Sequence, residues 1–334
     1  MFSLTPPPQI SQLAADILRL SDFFIQNPDE QTPWQENYCQ NAYRNYFLPL
    51  NFIRAQNILA RGLQVGFFKD FSATIDWGSG PGTASLAVAD NKTLQSQIKK
   101  QILIEKSGKA LSVFSDLNKL LLQPEATTEL SLKNLDCDPT KTLLMFSYSL
   151  TEMKALPAQW NQFEGLMILE PATSQDGRKL LELRSQLIAA GYTIWAPCTH
   201  QEACPLLTES KTDWCHDRFH VVAPDWFQKL EEHLPMRNRT VTTSYLLARK
   251  LKPTFYQDGM ARLTGDSQEE NGKTKQLVCR GPTREFLAWL HRNKSVQTLP
   301  RGELVHLPKD LQQKSNELRV TETPIECYES EKGN

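Results

Sequence analysis

Cys198, Cys204, Cys215 and Cys279 are the residues best able to hold an inorganic centre, and they follow a glycine-rich turn of the kind that cradles a nucleotide cofactor. Thiolates are the preferred ligands of soft metals and iron–sulfur clusters. The stretches carrying three of them, Pro197-Cys198-Thr199-His200 to Cys204-Pro205 and Asp213-Trp214-Cys215-His216, are polar and would gain order from such a centre. Five and ten residues separate the first three cysteines, and 63 more separate Cys215 from Cys279, which closes Gln276-Leu277-Val278-Cys279. No Cys-x-x-Cys knuckle is present. Four-thiolate zinc sites usually use such knuckles, so the spacing shifts weight toward an iron–sulfur cluster, which needs only four convergent thiolates. His200 and His216 are the alternative ligands for zinc, and otherwise donors to sulfur or surface imidazoles. Seven cysteines without a secretory signal argue for reduced thiols, and Cys39, Cys137 and Cys327 are read as bystanders.

The glycine-rich turn is Asp76-Trp77-Gly78-Ser79-Gly80-Pro81-Gly82-Thr83, set between the apolar Ala73-Thr74-Ile75 and the helical Ala84-Ser85-Leu86-Ala87-Val88-Ala89. Glycine there lets backbone approach a ligand, and the helix start should offer free N–H groups. A dinucleotide loop places its third Gly or Ala three past the second. That position is Thr83 here, and Gly82 gives a tighter spacing that favours a nucleoside cofactor without pyrophosphate. Glu105, 23 residues past Gly82 at the end of Gln101-Ile102-Leu103-Ile104, is the candidate acceptor for both ribose hydroxyls. Asp136 or Asp138 is the candidate for an adenine amino group. Asp76, Gly78, Ser79, Gly80, Gly82, Thr83 and Glu105 form the expected cofactor set.

Positioning these residues requires an α/β core. Apolar runs separated by helical stretches predict parallel strands near 73–76, 101–105, 142–148, 165–170 and 192–195, with a further strand at 244–249. Leu180, Leu181, Leu183, Leu187 and Ile188 give a crossover helix over 177–190 its inner face. The sequence divides into a helical N-terminal cap (1–70), a Rossmann-like core (71–196), a cysteine-rich insertion (197–243), and a last core strand with a small C-terminal extension closing the metal site (244–334). Residues 265–275 read as an exposed loop, Phe286, Leu287, Trp289 and Leu290 as one face of a helix, and the last fifteen residues as frayed.

Taken in order from about Tyr43 to Lys250, several motifs resemble the mitochondrial small-ribosomal-subunit methyltransferase-like assembly factors and their bacterial relatives. They are Gly78-Ser79-Gly80-Pro81-Gly82-Thr83, Ile104-Glu105-Lys106-Ser107, Ser147-Tyr148-Ser149-Leu150-Thr151-Glu152, Leu169-Glu170-Pro171, Ala196-Pro197-Cys198-Thr199-His200, Cys204-Pro205 and Asp213-Trp214-Cys215-His216. The resemblance implies a class I methyltransferase (Rossmann-like) sheet binding S-adenosylmethionine, a [4Fe-4S] cluster held by the four cysteines, and the small ribosomal subunit or its rRNA as partner. Thr199 stands where the family pattern usually has proline. Asp217-Arg218-Phe219 replaces its Phe-Ser-Gln, and the acid at 217 speaks against RNA contact there. The fourth strand ends in Ser147-Tyr148-Ser149 rather than an Asn-Pro-Pro-Tyr clamp, so no catalytic residue is assigned. A ribosome-assembly factor that keeps the cofactor fold as a binding module is the alternative to a methyltransferase, and a zinc-dependent regulatory protein is the third reading.

A net charge of −1 gives no global drive toward nucleic acid, so any RNA surface must be local. Between Leu234 and Pro253 there is no acid, while Arg237, Arg239, Arg249, Lys250 and Lys252 are present, and these are the candidate phosphate contacts. No run approaches the length of a membrane span, and the opening Met1 to Pro8 lacks the features of a leader. A monomer in a bacterial-type cytoplasm is the expectation.

Overall fold

The computed structural model describes residues 9–27, 30–113, 115–153, 155–293 and 296–328; the opening octapeptide and residues 329–334 lie outside them. The chain forms two units, one of Met1–Ala60, Phe68–Glu170 and Phe219–Thr242, the other of Arg61–Phe67, Pro171–Arg218 and Thr243–Asn334. The stretch 197–243 is thereby divided between them.

In the first unit, strands β1 (Ala73–Trp77), β2 (Lys100–Ile104), β3 (Pro124–Thr127), β4 (Thr142–Ser147) and β5 (Gly165–Glu170) pair in parallel in the order β3-β2-β1-β4-β5. Every residue of β1 and β5 is buried, as expected of parallel strands covered on both faces. The chain runs outward from β1 to β2 and β3, then returns to place β4 on the other side of β1. Loops leaving the carboxyl ends of β1 and β4 therefore diverge, and that crevice is where open α/β sheets bind ligands. Helices Ile10–Gln26, Asn37–Ala42 and Leu48–Gln64 lie in the N-terminal segment, and Leu13, Ala14, Ile17 and Leu20 of the first are buried. None of the described helices is long and apolar enough to cross a membrane.

In chain order there follow helix Ser174–Ala189, β6 (Thr193–Ala196), β7 (Asp217–His220) and β8 (Thr240–Arg249). β6 and β8 are antiparallel, with Ile194 opposite Ala248. Thr173 caps the helix by accepting from Asp176 N at 3.1 Å. Its buried face holds Leu180, Leu181 and Leu187 as expected, but also Arg184.

The C-terminal part of the second unit is a sheet of β9 (Met260–Leu263), β10 (Gln268–Glu270), β11 (Lys273–Cys279), β12 (Glu285–Leu290), β13 (Leu304–His306), β14 (Gln312–Lys314), β15 (Glu317–Val320) and β16 (Glu326–Cys327). Its order is β14-β15-β12-β11-β9-β13-β16, with β10 on β11. This replaces the small extension expected from the sequence, and Leu263, Val278, Leu287, Trp289 and Val305 form its core. Three expectations are corrected here. Phe286 to Leu290 are strand rather than helix, because a five-residue apolar run has no decisive period and β11 supplies its partner. Residues 265–275 are not a loop throughout: β10 and β11 form a hairpin whose first strand is exposed at all three positions, which made it read as polar loop. The last fifteen residues include β16, which pairs β13 through Val305 and Cys327.

Candidate cofactor loop and thiol cluster

The glycine turn leaves the carboxyl end of β1. Gly78 (φ +66°) and Gly82 (φ +81°) both need the left-handed region, and a Cβ on Gly78 would meet Ser149 Cβ at 2.7 Å. The backbone amides of the turn are spent within the protein. Gly78 and Ser79 donate to Ile104 O at 2.8 and 3.2 Å, Gly82 to Ser79 O at 2.8 Å, and Gly80 to Glu105 Oε2 at 2.9 Å. Glu105 Oε1 accepts from Ser107 N at 2.9 Å. Asp76, 1 % exposed, accepts from Ser85 N at 3.2 Å and Ser85 Oγ at 2.9 Å, so it fills the helix N-terminus that the sequence had suggested was free. Burial pushes its carboxyl up to about 6, opposed by the two Ser85 bonds and supported by the Glu105 charge.

Two acids and no uncommitted amide at positions 78, 79, 80 or 82 make this a poor phosphate cradle. They suit a cofactor bringing hydroxyl donors or positive charge. Asp76 Oδ1, Thr83 Oγ1 and Ser149 Oγ are buried and have no hydrogen-bond partner among the described residues, so hydrogen-bonding capacity remains around the turn. Two neighbours went unforeseen. Ser149 enters from the loop after β4, and Trp34, its ring tilted against Tyr43 at 4.8 Å between centres, would lie 3.4 Å from a Cβ on Gly80. Nothing in the sequence around Trp34 marks it.

The adenine candidates are corrected. Asp136 and Asp138 precede β4, and in a parallel sheet they therefore lie at the edge opposite the glycine turn. Asp136 instead pairs with Lys100 at 3.0 Å, and Asp138 caps Pro139–Lys141 through Thr140 N at 2.9 Å.

In the second unit the four cysteines are brought within electrostatic reach of one another. Cys215 feels Cys198, Cys204 and Cys279, and Cys279 feels Cys198 and Cys204. Burial first, then the neighbouring sulfurs, pushes the Cys204, Cys215 and Cys279 thiols up. Cys204, Cys215, Leu181, Leu206 and Leu277 share an apolar cluster. Arg184, 1 % exposed, donates through Nε to Cys198 Sγ at 3.0 Å and through Nη2 to His200 O at 2.9 Å. Thr199 Oγ1 donates to Cys279 O at 3.2 Å, and His200 Nε2 lies 3.4 Å from Cys279 Sγ. His216 is engaged elsewhere, stacked on Trp214 at 5.2 Å with Nδ1 3.1 Å from Arg301 Nη2. Burial and the adjacent arginines lower both His200 and His216 to about 4. Among the described residues no three His, Cys, Asp or Glu side chains surround a point where one metal ion could be held. The expected iron–sulfur or zinc site is thus not shown, although its four thiols are gathered.

The basic candidates separate. Arg249 is 3 % exposed, donates to Phe67 O at 3.0 Å and lies 5.3 Å from the Trp195 ring centre, so it is corrected to a core residue. Arg237 donates to Met236 O at 3.0 Å and to the carbonyls of Glu231 and Leu234 at the end of helix Asp225–Glu232. Arg239, Lys250 and Lys252 are exposed. Asp217 is 2 % exposed and paired with Arg61 at 3.1 Å; the acid taken to oppose RNA faces inward.

A family model described as mitochondrial small ribosomal subunit Rsm22 matches residues 42–285. No curated protein sequence matches the chain. Similar solved structures include an rRNA methylase from Streptococcus thermophilus (13 % identity, covering 58 % of this chain and 95 % of that one, TM-score 0.33). TrmK of M. capricolum, in complex with S-adenosyl-homocysteine, is 11 % identical (58 % and 69 %, TM-score 0.34). TYW2 of M. jannaschii, in complex with AdoMet, is 12 % identical (59 % and 77 %, TM-score 0.31).

Proposed function

The chain belongs to the mitochondrial small ribosomal subunit Rsm22 family, and from that premise we propose that it is an S-adenosylmethionine-dependent methyltransferase-type protein acting on, or assembling, the small ribosomal subunit, with rRNA as substrate or partner. The observation that carries the cofactor is the Gly80 N–H bonded to Glu105 Oε2. That bond commits a loop amide and sets a carboxylate beside the turn, which disfavours a phosphate and favours a sulfonium nucleoside. Glu105 keeps lone pairs for ribose hydroxyls, and Asp76 Oδ1, Thr83 Oγ1 and Ser149 Oγ are the atoms left to orient the rest of the ligand. When bound, the cofactor supplies an activated methyl group; the residues around it bind, align and shield it from water.

In the same reading, Cys198, Cys204, Cys215 and Cys279 hold a [4Fe-4S] cluster. A cubane binds each thiolate at a different iron, so its ligands need not crowd round one point. Four thiols that influence one another, in spacings without a Cys-x-x-Cys knuckle, support this over mononuclear zinc. The cluster would order the segments around Cys198–Cys204 and Cys215. Arg239, Lys250 and Lys252 are the remaining phosphate contacts.

The assembly-factor reading is favoured by one observation: β4 ends in Ser147-Tyr148-Ser149, with Tyr148 at φ +58° and its N–H donated to Leu169 O, and carries no amide clamp. Incubating wild type and Gly80→Asp with methyl-labelled S-adenosylmethionine and purified small-subunit rRNA separates the two. Label on RNA with wild type alone supports the enzyme. Cofactor binding by wild type without label leaves the assembly factor, and no binding at all removes both.

A further inference from the structure

Two arginines, Arg184 and Arg262, are buried near the thiols, and among the described residues neither forms an ion pair with a carboxylate. Arg184 comes from the inner face of helix Ser174–Ala189, and the charges it feels are those of Cys198, Cys204 and Cys279, with no carboxylate among them. Arg262, 0 % exposed in β9, stands directly opposite Cys279 of β11 in an antiparallel register, which directs the two side chains to the same face of the sheet. Its Nη1 donates to Gly302 O at 2.8 Å and its guanidinium also bonds the Tyr256 side chain, both of them neutral partners. Tyr256, beside it, donates its hydroxyl to Trp195 O. Asp217 is the carboxylate nearest in effect, but it is already paired with Arg61. Buried cations persist only with a counter-charge, and four neutral thiols offer none.

Resting on the cluster reading above, we propose that Arg184 and Arg262 are the counter-ions of the thiolate centre and set its reduction potential. A [4Fe-4S]2+ core with four thiolates carries two negative charges, which the two guanidiniums balance. One-electron reduction by an added reductant such as dithionite raises this to three. Cations alongside ease that step, and an N–H donated to sulfur withdraws charge from it. Arg184 and Arg262 are positioning residues: they act on the centre through Cys198 and across from Cys279.

The test is anaerobic reconstitution of the full chain with iron and sulfide, followed by mediated redox titration read by visible absorbance and electron paramagnetic resonance. Arg184→Gln and Arg262→Gln should each lower the reduced-to-oxidised ratio at a fixed potential about tenfold, equivalent to about 59 mV for one electron. Arg184→Lys, which keeps the charge, should move it far less. Gln variants that load the cluster and titrate like wild type would overturn the counter-ion role while leaving the cluster reading intact, as would a Lys variant shifted as far as Gln. Wild type that takes up no iron and sulfide would overturn the cluster reading itself. Electron-nuclear double resonance on reduced wild type needs no variant and should find a weakly coupled nitrogen with exchangeable protons. Their absence contradicts the Arg184 contact even where substitutions fail to fold.

Discussion

Gly82→Ala offers a worked test of the turn, because a second glycine with the same backbone angle serves as its control. Gly82 and Gly272 both have φ +81°. A Cβ at 82 would come within 2.8 Å of Leu103 Cδ2, whereas at 272, in the β10–β11 hairpin, it would meet nothing within 4 Å. Both variants suffer the left-handed penalty of about 1–2 kcal/mol and gain the same small benefit of a stiffer unfolded chain. Only Gly82→Ala adds overpacking of about 1–3 kcal/mol, since Leu103 is 1 % exposed and has little room to move. Their urea midpoints, multiplied by a common slope, should therefore differ by roughly 1–3 kcal/mol. Calorimetry should show lost S-adenosylmethionine affinity in Gly82→Ala alone. Equal midpoints, or unchanged affinity at 82, would refute both the packing argument and the turn's place in the cofactor site.

Other outcomes follow from the same contacts. Asp76 has a folded pKa of about 6, above its unfolded value of 3.8, so its contribution to stability is full below the unfolded value and is lost as pH rises through about 6. A cofactor bearing donors or positive charge favours the carboxylate, so calorimetric affinity should fall as pH drops below about 6; a flat profile between pH 5 and 8, matching that of Asp76→Asn, would contradict this. Asp217→Ala removes one of the two carboxylates that hold buried Arg61, leaving Glu303 at 3.0 Å, and should cost about 1–3 kcal/mol in chemical denaturation; an unchanged midpoint would mean that Asp217 is not the buried anchor described. Lys250→Ala or Lys252→Ala should reduce the salt slope of RNA binding by about 0.7–0.9. Arg249→Ala should instead lower the melting temperature, and the reverse pattern would move the RNA surface to Arg249. Cys215→Ser should lose bound iron and stability together, and unchanged iron content would exclude that ligand.

Much of the first unit was legible because parallel strands buried on both faces announce themselves as apolar runs, and β1, the glycine turn and Glu105 follow from that pattern. The placement of Asp136 and Asp138 failed on topology. Their charge suited an adenine contact, but residues before a parallel strand open on the wrong edge of the sheet. The C-terminal sheet stayed hidden because β10 is exposed and β12 too short for periodicity to separate strand from helix. Arg184 and Arg262 were invisible for a different reason: a long cation reads as solvated until coordinates show its head group buried. The basic stretch from 234 to 253 shows the same limit, since β8 takes Arg249 into the core and leaves Lys250 outside.

Equilibrium dialysis of the purified chain against labelled S-adenosylmethionine tests the central claim most directly. One equivalent should bind to wild type and be displaced by S-adenosyl-homocysteine, with none retained by Gly80→Asp. Failure of folded wild type to retain the label, or equal retention by the Gly80→Asp chain, would contradict the assignment of the turn after β1 as the cofactor site.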